Sequence, residues 1–170
     1  MLVNEREKTA CRVDMNMTGL YNVQNSLCAI AMVTALGFDM TECAKALSDL
    51  DGVDGRMNVV YRGDFTVITD YAHTDDALIK VLSTLKPLTK GRLICVFGAA
   101  GDRDKEKRPM MAKAAEDNAD ILVITSDNPA HENPDEIIRE VMTGISGKKP
   151  CRCITCLLYT SPSPRDRTRS

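Results

Sequence analysis

Every residue from Asp102 to Arg108 is charged, and the run Asp102-Arg103-Asp104-Lys105-Glu106-Lys107-Arg108 stands directly after Gly98-Ala99-Ala100-Gly101. A charge run alone reads most simply as a solvated loop. Its setting argues for more. Leu93-Ile94-Cys95-Val96-Phe97 is a continuous apolar strand, the pattern of a strand buried on both faces in a parallel sheet. The charges therefore fall at a strand's carboxyl end, where open α/β sheets bind ligands. Two further polar clusters occupy the same kind of position. Asp70-Tyr71-Ala72-His73-Thr74 ends the apolar run from Phe65, and Ser126-Asp127-Asn128-Pro129-Ala130-His131 ends Ile121–Thr125. Asp70, Asp102 and Asp104 could also suggest a phospho-acceptor pocket. Cys151-x-Cys153-x-x-Cys156 has the look of a zinc knuckle but no fourth ligand at the right spacing.

These clusters need elements to position them. Ser26 to Ala35 is apolar on almost every face and is stopped by Gly37. A helix that apolar needs covering on all sides, so a preceding domain is expected. Asn22 and Asn25, near its start, read on spacing alone as capping residues. Thr41–Leu47 is a short helix with Asp39 or Thr41 as cap. Asp51-Gly52-Val53-Asp54-Gly55-Arg56 is a turn-rich link and the natural domain boundary. Asn58–Tyr61 and Phe65–Asp70 read as strands joined at Arg62-Gly63-Asp64. A helix follows from Asp75, with Ala77, Leu78, Val81, Leu82 and Leu85 as its buried stripe and Thr74 or Asp75 as cap. Pro109 suits the first turn of the next helix, which runs to Asn118. A last helix runs from Asn133 or Pro134 to about Ile145. The order β-β-α-β-α-β-α predicts an α/β fold, a mostly parallel Rossmann-like sheet flanked by helices. The strand ends at Asp70, Gly98 and Ser126 would then open on one edge of it.

The 170 residues suffice for one domain with a real core. A formal net charge of −2 leaves no basic surplus for a phosphate backbone, so no nucleic-acid partner is expected. No apolar run is long enough to span a bilayer, and no signal peptide is visible. Cys28, Cys43 and Cys95 lie in apolar runs, which fits buried free thiols in a cytoplasmic protein. Residues 156–170 have no helix or strand period and resemble a translated sequencing adapter rather than part of the fold.

Five motifs in order carry a resemblance: Gly19-x-x-Asn22-x-x-Asn25, Gly55-Arg56, Asp70-Tyr71-Ala72-His73-Thr74, Gly101-Asp102-Arg103-Asp104 with Lys107-Arg108-Pro109, and Asp127-Asn128-Pro129. Together they make residues 14 to 155 resemble the Mur ligases, in particular the UDP-N-acetylmuramoyl-tripeptide synthetase branch of peptidoglycan synthesis. The resemblance implies an ATP-dependent amide ligase of three domains, here a fragment. Residues 1–54 would be the end of the central ATP-binding domain, and residues 55–155 a truncated C-terminal domain. No Gly-x-x-x-x-Gly-Lys-Ser/Thr loop occurs, so that loop and most Mg2+ ligands would lie in the missing part. In such a ligase ATP phosphorylates a carboxylate of the UDP-N-acetylmuramoyl dipeptide, and an amine attacks the acyl phosphate. By resemblance, Asn25 would contact adenine, Asp70 the ribose hydroxyls and Arg56 the phosphates, with His73 in the same cleft. Arg103 would grip the carboxylate of the incoming basic amino acid. Asp127, Asn128, Pro129 and Ala130 would recognise its side chain. Diaminopimelate-adding members usually have arginine where Ala130 stands, so Ala130 leans the expectation towards lysine. The remaining motifs look more like the diaminopimelate branch. A non-catalytic nucleotide-binding module and a folate polyglutamate-type ligase are the alternatives.

Overall fold

A computed structural model describes residues 2–4, 9–17, 19–50 and 52–157. The chain divides into two compact units, one up to Tyr71 and one from Ala72 onward. The tail expected to lie outside the fold is described only at Cys156 and Leu157; residues 158–170 lie outside the described part.

The first unit opens with an antiparallel pair, β1 (Leu2–Asn4) and β2 (Thr9–Cys11). Helix α1 (Leu20–Ala35) buries only the stripe Asn22, Ser26 and Ile30, spaced one turn apart. Its N-cap is Gly19, with no side-chain capping bond, so Asn22 and Asn25 are not caps. Leu20, Val23, Leu27, Met32 and Leu36 are exposed, so the apolar faces of α1 are not those it buries in this unit. Helix α2 (Met40–Ser48) starts at Asp39, whose carboxylate accepts from the amides of Thr41 and Glu42 at 2.8 and 3.1 Å. Strands β3 (Asn58–Arg62) and β4 (Thr66–Thr69) form an antiparallel hairpin with an irregularity between Val59 and Tyr61.

The second unit carries the parallel sheet. Helix α3 (Asp75–Leu85) is capped by Thr74, whose hydroxyl accepts from the Ala77 amide at 3.2 Å. It buries Leu78 and Leu82 from the expected stripe. Then come β5 (Ile94–Phe97), α4 (Lys107–Asn118), β6 (Ile121–Thr125), α5 (Pro134–Met142) and β7 (Cys151–Ile154). The strands are parallel in the order β5-β6-β7. Cys95, Phe97, Leu122 and Ile124 form one core with Leu78 and Leu82 of α3, Met111, Ala112 and Ala115 of α4, and Ile137, Ile138 and Val141 of α5. Alanines on α4 keep it slim enough to pack against α3 and α5. At the sheet's far end Glu116 accepts from the Ser146 amide and hydroxyl and the Lys148 amide at 2.7–3.0 Å. Those bonds, from Ser146 first, hold its carboxyl down at about 2.

Three expectations need correction. The strand before Gly98 is not buried on both faces: Cys95 and Phe97 point into the core, while Ile94 and Val96 are each 52% exposed. The strand lies at the sheet's edge, and the helices of its own unit share the core on one side of it. Asp70 does not end a strand of this sheet, because among the described residues β4 pairs only with β3. Of the three ends expected together, only those at Gly98 and Ser126 follow strands of this sheet, whose third carboxyl end is that of β7. Of the cysteines, all free, only Cys95 is buried, and burial pushes its thiol up to about 12; Cys28 is exposed on α1. Among the described residues no helix is long and apolar enough to cross a membrane.

Candidate functional site

Strands β5 and β6 are adjacent and parallel, so the turns leaving their carboxyl ends start side by side. Glycine lets them touch. A Cβ on Gly98 would sit 2.5 Å from the Thr125 carbonyl oxygen and 2.9 Å from the Asp127 nitrogen. One on Gly101 would sit 1.8 Å from the Pro129 carbonyl oxygen. No side chain fits there, and the Gly101 amide instead donates to the Asn128 carbonyl at 2.8 Å.

The second turn is shaped from within. The Asn128 side-chain oxygen accepts from the Ala130 amide at 3.1 Å, and the Pro129 carbonyl accepts from the Glu132 amide at 2.9 Å. The turns are also joined by side chains. Glu132 accepts from the Asp102 amide at 2.7 Å, and the His131 ring nitrogen Nδ1 lies 2.6 Å from the Asp102 carboxylate. Arg103, Asp127, Asn128, Pro129 and Ala130 thus share one loop pair. All but the half-buried Pro129 are exposed. Arg103 has no ion-pair partner among the described residues, so its guanidinium is available to a ligand carboxylate.

The first unit holds a second cluster. The Asp70 carboxylate accepts from the Met57 amide at 2.9 Å, and the Arg56 guanidinium lies 5.2 Å from the centre of the Tyr71 ring. Tyr21, in the first turn of α1, joins them. Burial raises its hydroxyl's pKa, Asp70 raises it further, and Arg56 opposes both. That hydroxyl is buried without a hydrogen-bond partner among the described residues. A buried hydroxyl without a partner that feels both a cation and a carboxylate fits a polar ligand such as a nucleotide. Asn25 stands one turn beyond Tyr21, on the same side of α1, and is exposed. His73 belongs to the second unit, just before the α3 cap. Among the described residues no group of three or more His, Cys, Asp or Glu could hold a metal ion.

His131 is expected to titrate above its ordinary value, because it donates to Asp102 and feels that carboxylate's charge. The raised value means the stabilisation is complete below the ordinary histidine range and is lost as pH rises through the folded value. An NMR titration checks this. Asp102→Asn should return His131 to near its ordinary value, and an unchanged midpoint would remove the pairing.

Sequence reasoning missed Glu132, Glu140, Tyr21 and the role of Arg108. In the sequence Arg108 is the last member of a charge run and part of the Lys107-Arg108-Pro109 motif, yet its side chain has no exposed surface. It donates twice to Glu132, at 2.8 and 3.0 Å, to Glu140 at 2.5 Å and to the Ala100 carbonyl at 3.2 Å. Arg108, then the Asp102 amide and Lys105, hold the Glu132 carboxyl far below the usual carboxylate range. The available signal was Pro109, which marks the first turn of a helix and therefore ties Arg108 to the packed end of α4.

Residues 55–157 match the family model described as Mur ligase, glutamate ligase domain. The UDP-N-acetylmuramoyl-L-alanyl-D-glutamate–2,6-diaminopimelate ligase of Gloeobacter violaceus is 47% identical over 131 residues, 76% of this chain and 27% of that protein. The Aquifex aeolicus protein of the same name is 47% identical over 133 residues, 78% of this chain and 27% of its own length. A solved structure of such a diaminopimelate ligase superposes with a TM-score of 0.60 at 39% identity, covering 84% of this chain and 30% of that one. A folylpolyglutamate synthase from Thermotoga maritima has a TM-score of 0.66 at 15% identity, covering 92% and 37%, a likeness of fold alone. The chain spans about a quarter of the length of the curated relatives it matches.

Proposed function

Since the chain belongs to the Mur ligase family, we propose that it is the amino-acid-receiving part of an ATP-dependent ligase that joins a basic amino acid to UDP-N-acetylmuramoyl-L-alanyl-D-glutamate. Residues 1–54 then belong to the central ATP-binding domain and residues from 55 to the C-terminal domain. The observation that carries the reading is the loop pair: a free guanidinium at Arg103 beside the Asp127–Ala130 turn, held together by the Gly101–Asn128 hydrogen bond. Arg103 binds the α-carboxylate and so aims the amine at the acyl phosphate, which makes the attack effectively unimolecular. Asp127 and Asn128 face the far end of the amino acid. Asn25, Tyr21, Arg56 and Asp70 form the nucleotide-binding set of the first unit. The nucleotide supplies the phosphoryl group, and Mg2+ would be held outside the described residues.

The relatives' names favour 2,6-diaminopimelate as the incoming amino acid. One observation favours lysine instead: the exposed position 130 carries a methyl group and no cation for a second carboxylate. The test is ADP formation by the complete ligase carrying this segment, with ATP, the UDP-linked dipeptide and either amino acid. Arg103→Ala is expected to raise the KM for the amino acid about 100-fold, the worth of a charge-assisted pair. Ala130→Arg should shift preference towards diaminopimelate. No amino-acid-dependent ADP formation with either substrate would end the proposal.

A further inference from the structure

We propose that Arg108 and Glu132 are positioning residues for the incoming amino acid, which lock the Arg103 turn and the Asn128 turn into one rigid surface. The inference rests on the reading of those turns as an amino-acid site and deepens it.

Its basis is a single carboxylate with every face occupied. Glu132 Oε1 accepts from Arg108 Nη2 at 2.8 Å and from the Asp102 amide at 2.7 Å. Its Oε2 accepts from Arg108 Nη1 and from Lys105 Nζ, each at 3.0 Å. The donors come from three points on the first turn and helix α4, and the acceptor from the end of the second turn. Arg108 completes the lock by donating to the Ala100 carbonyl, upstream of the same turn, and to Glu140 on α5. One guanidinium and two carboxylates, Glu132 and Glu140, therefore tie β5's exit, α4, β6's exit and α5 together.

Stability does not explain this arrangement. A buried ion pair can often be replaced by apolar side chains of similar volume without loss. What a forked guanidinium supplies is direction, since two parallel bonds to a carboxylate fix its plane as well as its distance. Direction is what the neighbours need. Asp102, immediately before Arg103, has φ +52°, and Ala130, two residues after Asn128, has φ +49°. Both conformations are disfavoured for residues with a Cβ and persist only where the surroundings impose them. The Asp102 amide is itself pinned by Glu132, so loss of that bond frees the backbone that aims Arg103.

The experiment has two arms. In the complete ligase, Glu132→Gln is expected to raise the KM for the amino acid at least 10-fold while the KM for ATP stays within twofold. Arg108→Lys, which keeps the charge but loses the fork, should do the same more weakly. In the 170-residue chain, the amides of Gly101, Asp102 and Ala130 should exchange at least 10-fold faster in Glu132→Gln, with the β6 amides unchanged. Equal rises in both KM values, or loop amides as protected as before, would overturn the inference. If the unsubstituted ligase uses neither amino acid, the proposed function fails on its own. The exchange arm still decides whether the turns are locked, and Arg108→Lys replaces Glu132→Gln should the latter not fold.

Discussion

Gly101→Ala is expected to cut the amino-acid-dependent turnover of the complete ligase by about 100-fold, the usual result of misplacing a reactant by about 1 Å. The reason is backbone against backbone. The added Cβ would sit 1.8 Å from the Pro129 carbonyl oxygen, 2.5 Å from its carbon and 3.1 Å from its Cα. No flexible side chain is present to yield, so one turn must move away from the other. That movement breaks the Gly101–Asn128 hydrogen bond and separates Arg103 from the Asp127–Ala130 turn. The core is touched where Ala99, two residues before Gly101 in the same turn, belongs to it; the strand members of that core lie in β5 and β6. Gly91→Ala is the control: nothing lies within 4 Å of its Cβ position. Steady-state rates for both variants check this. Near-normal turnover in Gly101→Ala would mean that the turns need not touch for the ligase to work.

Arg108→Met is expected to cost the second unit about 3 kcal/mol, the typical result of removing one partner from a buried ion pair. Arg108 has no exposed surface, and Glu132 is held largely out of solvent beside it. Removing the cation leaves Glu132 and Glu140 facing each other with only Lys105 to answer both. Combining Arg108→Met with Glu132→Leu and Glu140→Leu should recover much of the loss, because no stranded charge remains. The slowest-exchanging amides of β6 give the measurement. The pH dependence has a definite sign. Both carboxyls are held below their ordinary value, first by Arg108, so their contribution is present above the ordinary glutamate range and fades as pH falls towards the lowered values. A loss below about 1 kcal/mol in the single variant, or one that grows as pH falls, would show that Arg108 is ordinary packing.

Much of the second unit was legible before any coordinates. Ile121–Thr125 is a strand with the bounds its apolar run implies, and α3 starts at the expected Thr74 cap. Short-range rules govern such features: a period, a capping hydroxyl, a proline in a first turn. The loop pair was legible too, because adjacent parallel strands must present their carboxyl ends together. The reading failed where the outcome depends on distant partners. Nothing in Cys151-Arg152-Cys153-Ile154 marks it as a strand; it becomes β7 because β6 offers it an unpaired edge. Asp70 looked like a third strand end of one sheet, but among the described residues β4 finds its partner in β3 alone.

The sequence by itself determined that two polar turns, after Phe97 and after Thr125, would follow the carboxyl ends of strands. It also determined the helices, through caps and apolar spacing, since those depend on residues a turn apart. Only the tertiary structure decided which of the charges from Asp102 to Arg108 is buried. Arg108 is singled out by Glu132 and Glu140, 24 and 32 residues further along the chain. A cation's burial depends on whether carboxylates reach it to offset its lost hydration, and their arrival follows from how α4 and α5 pack, which no local pattern encodes.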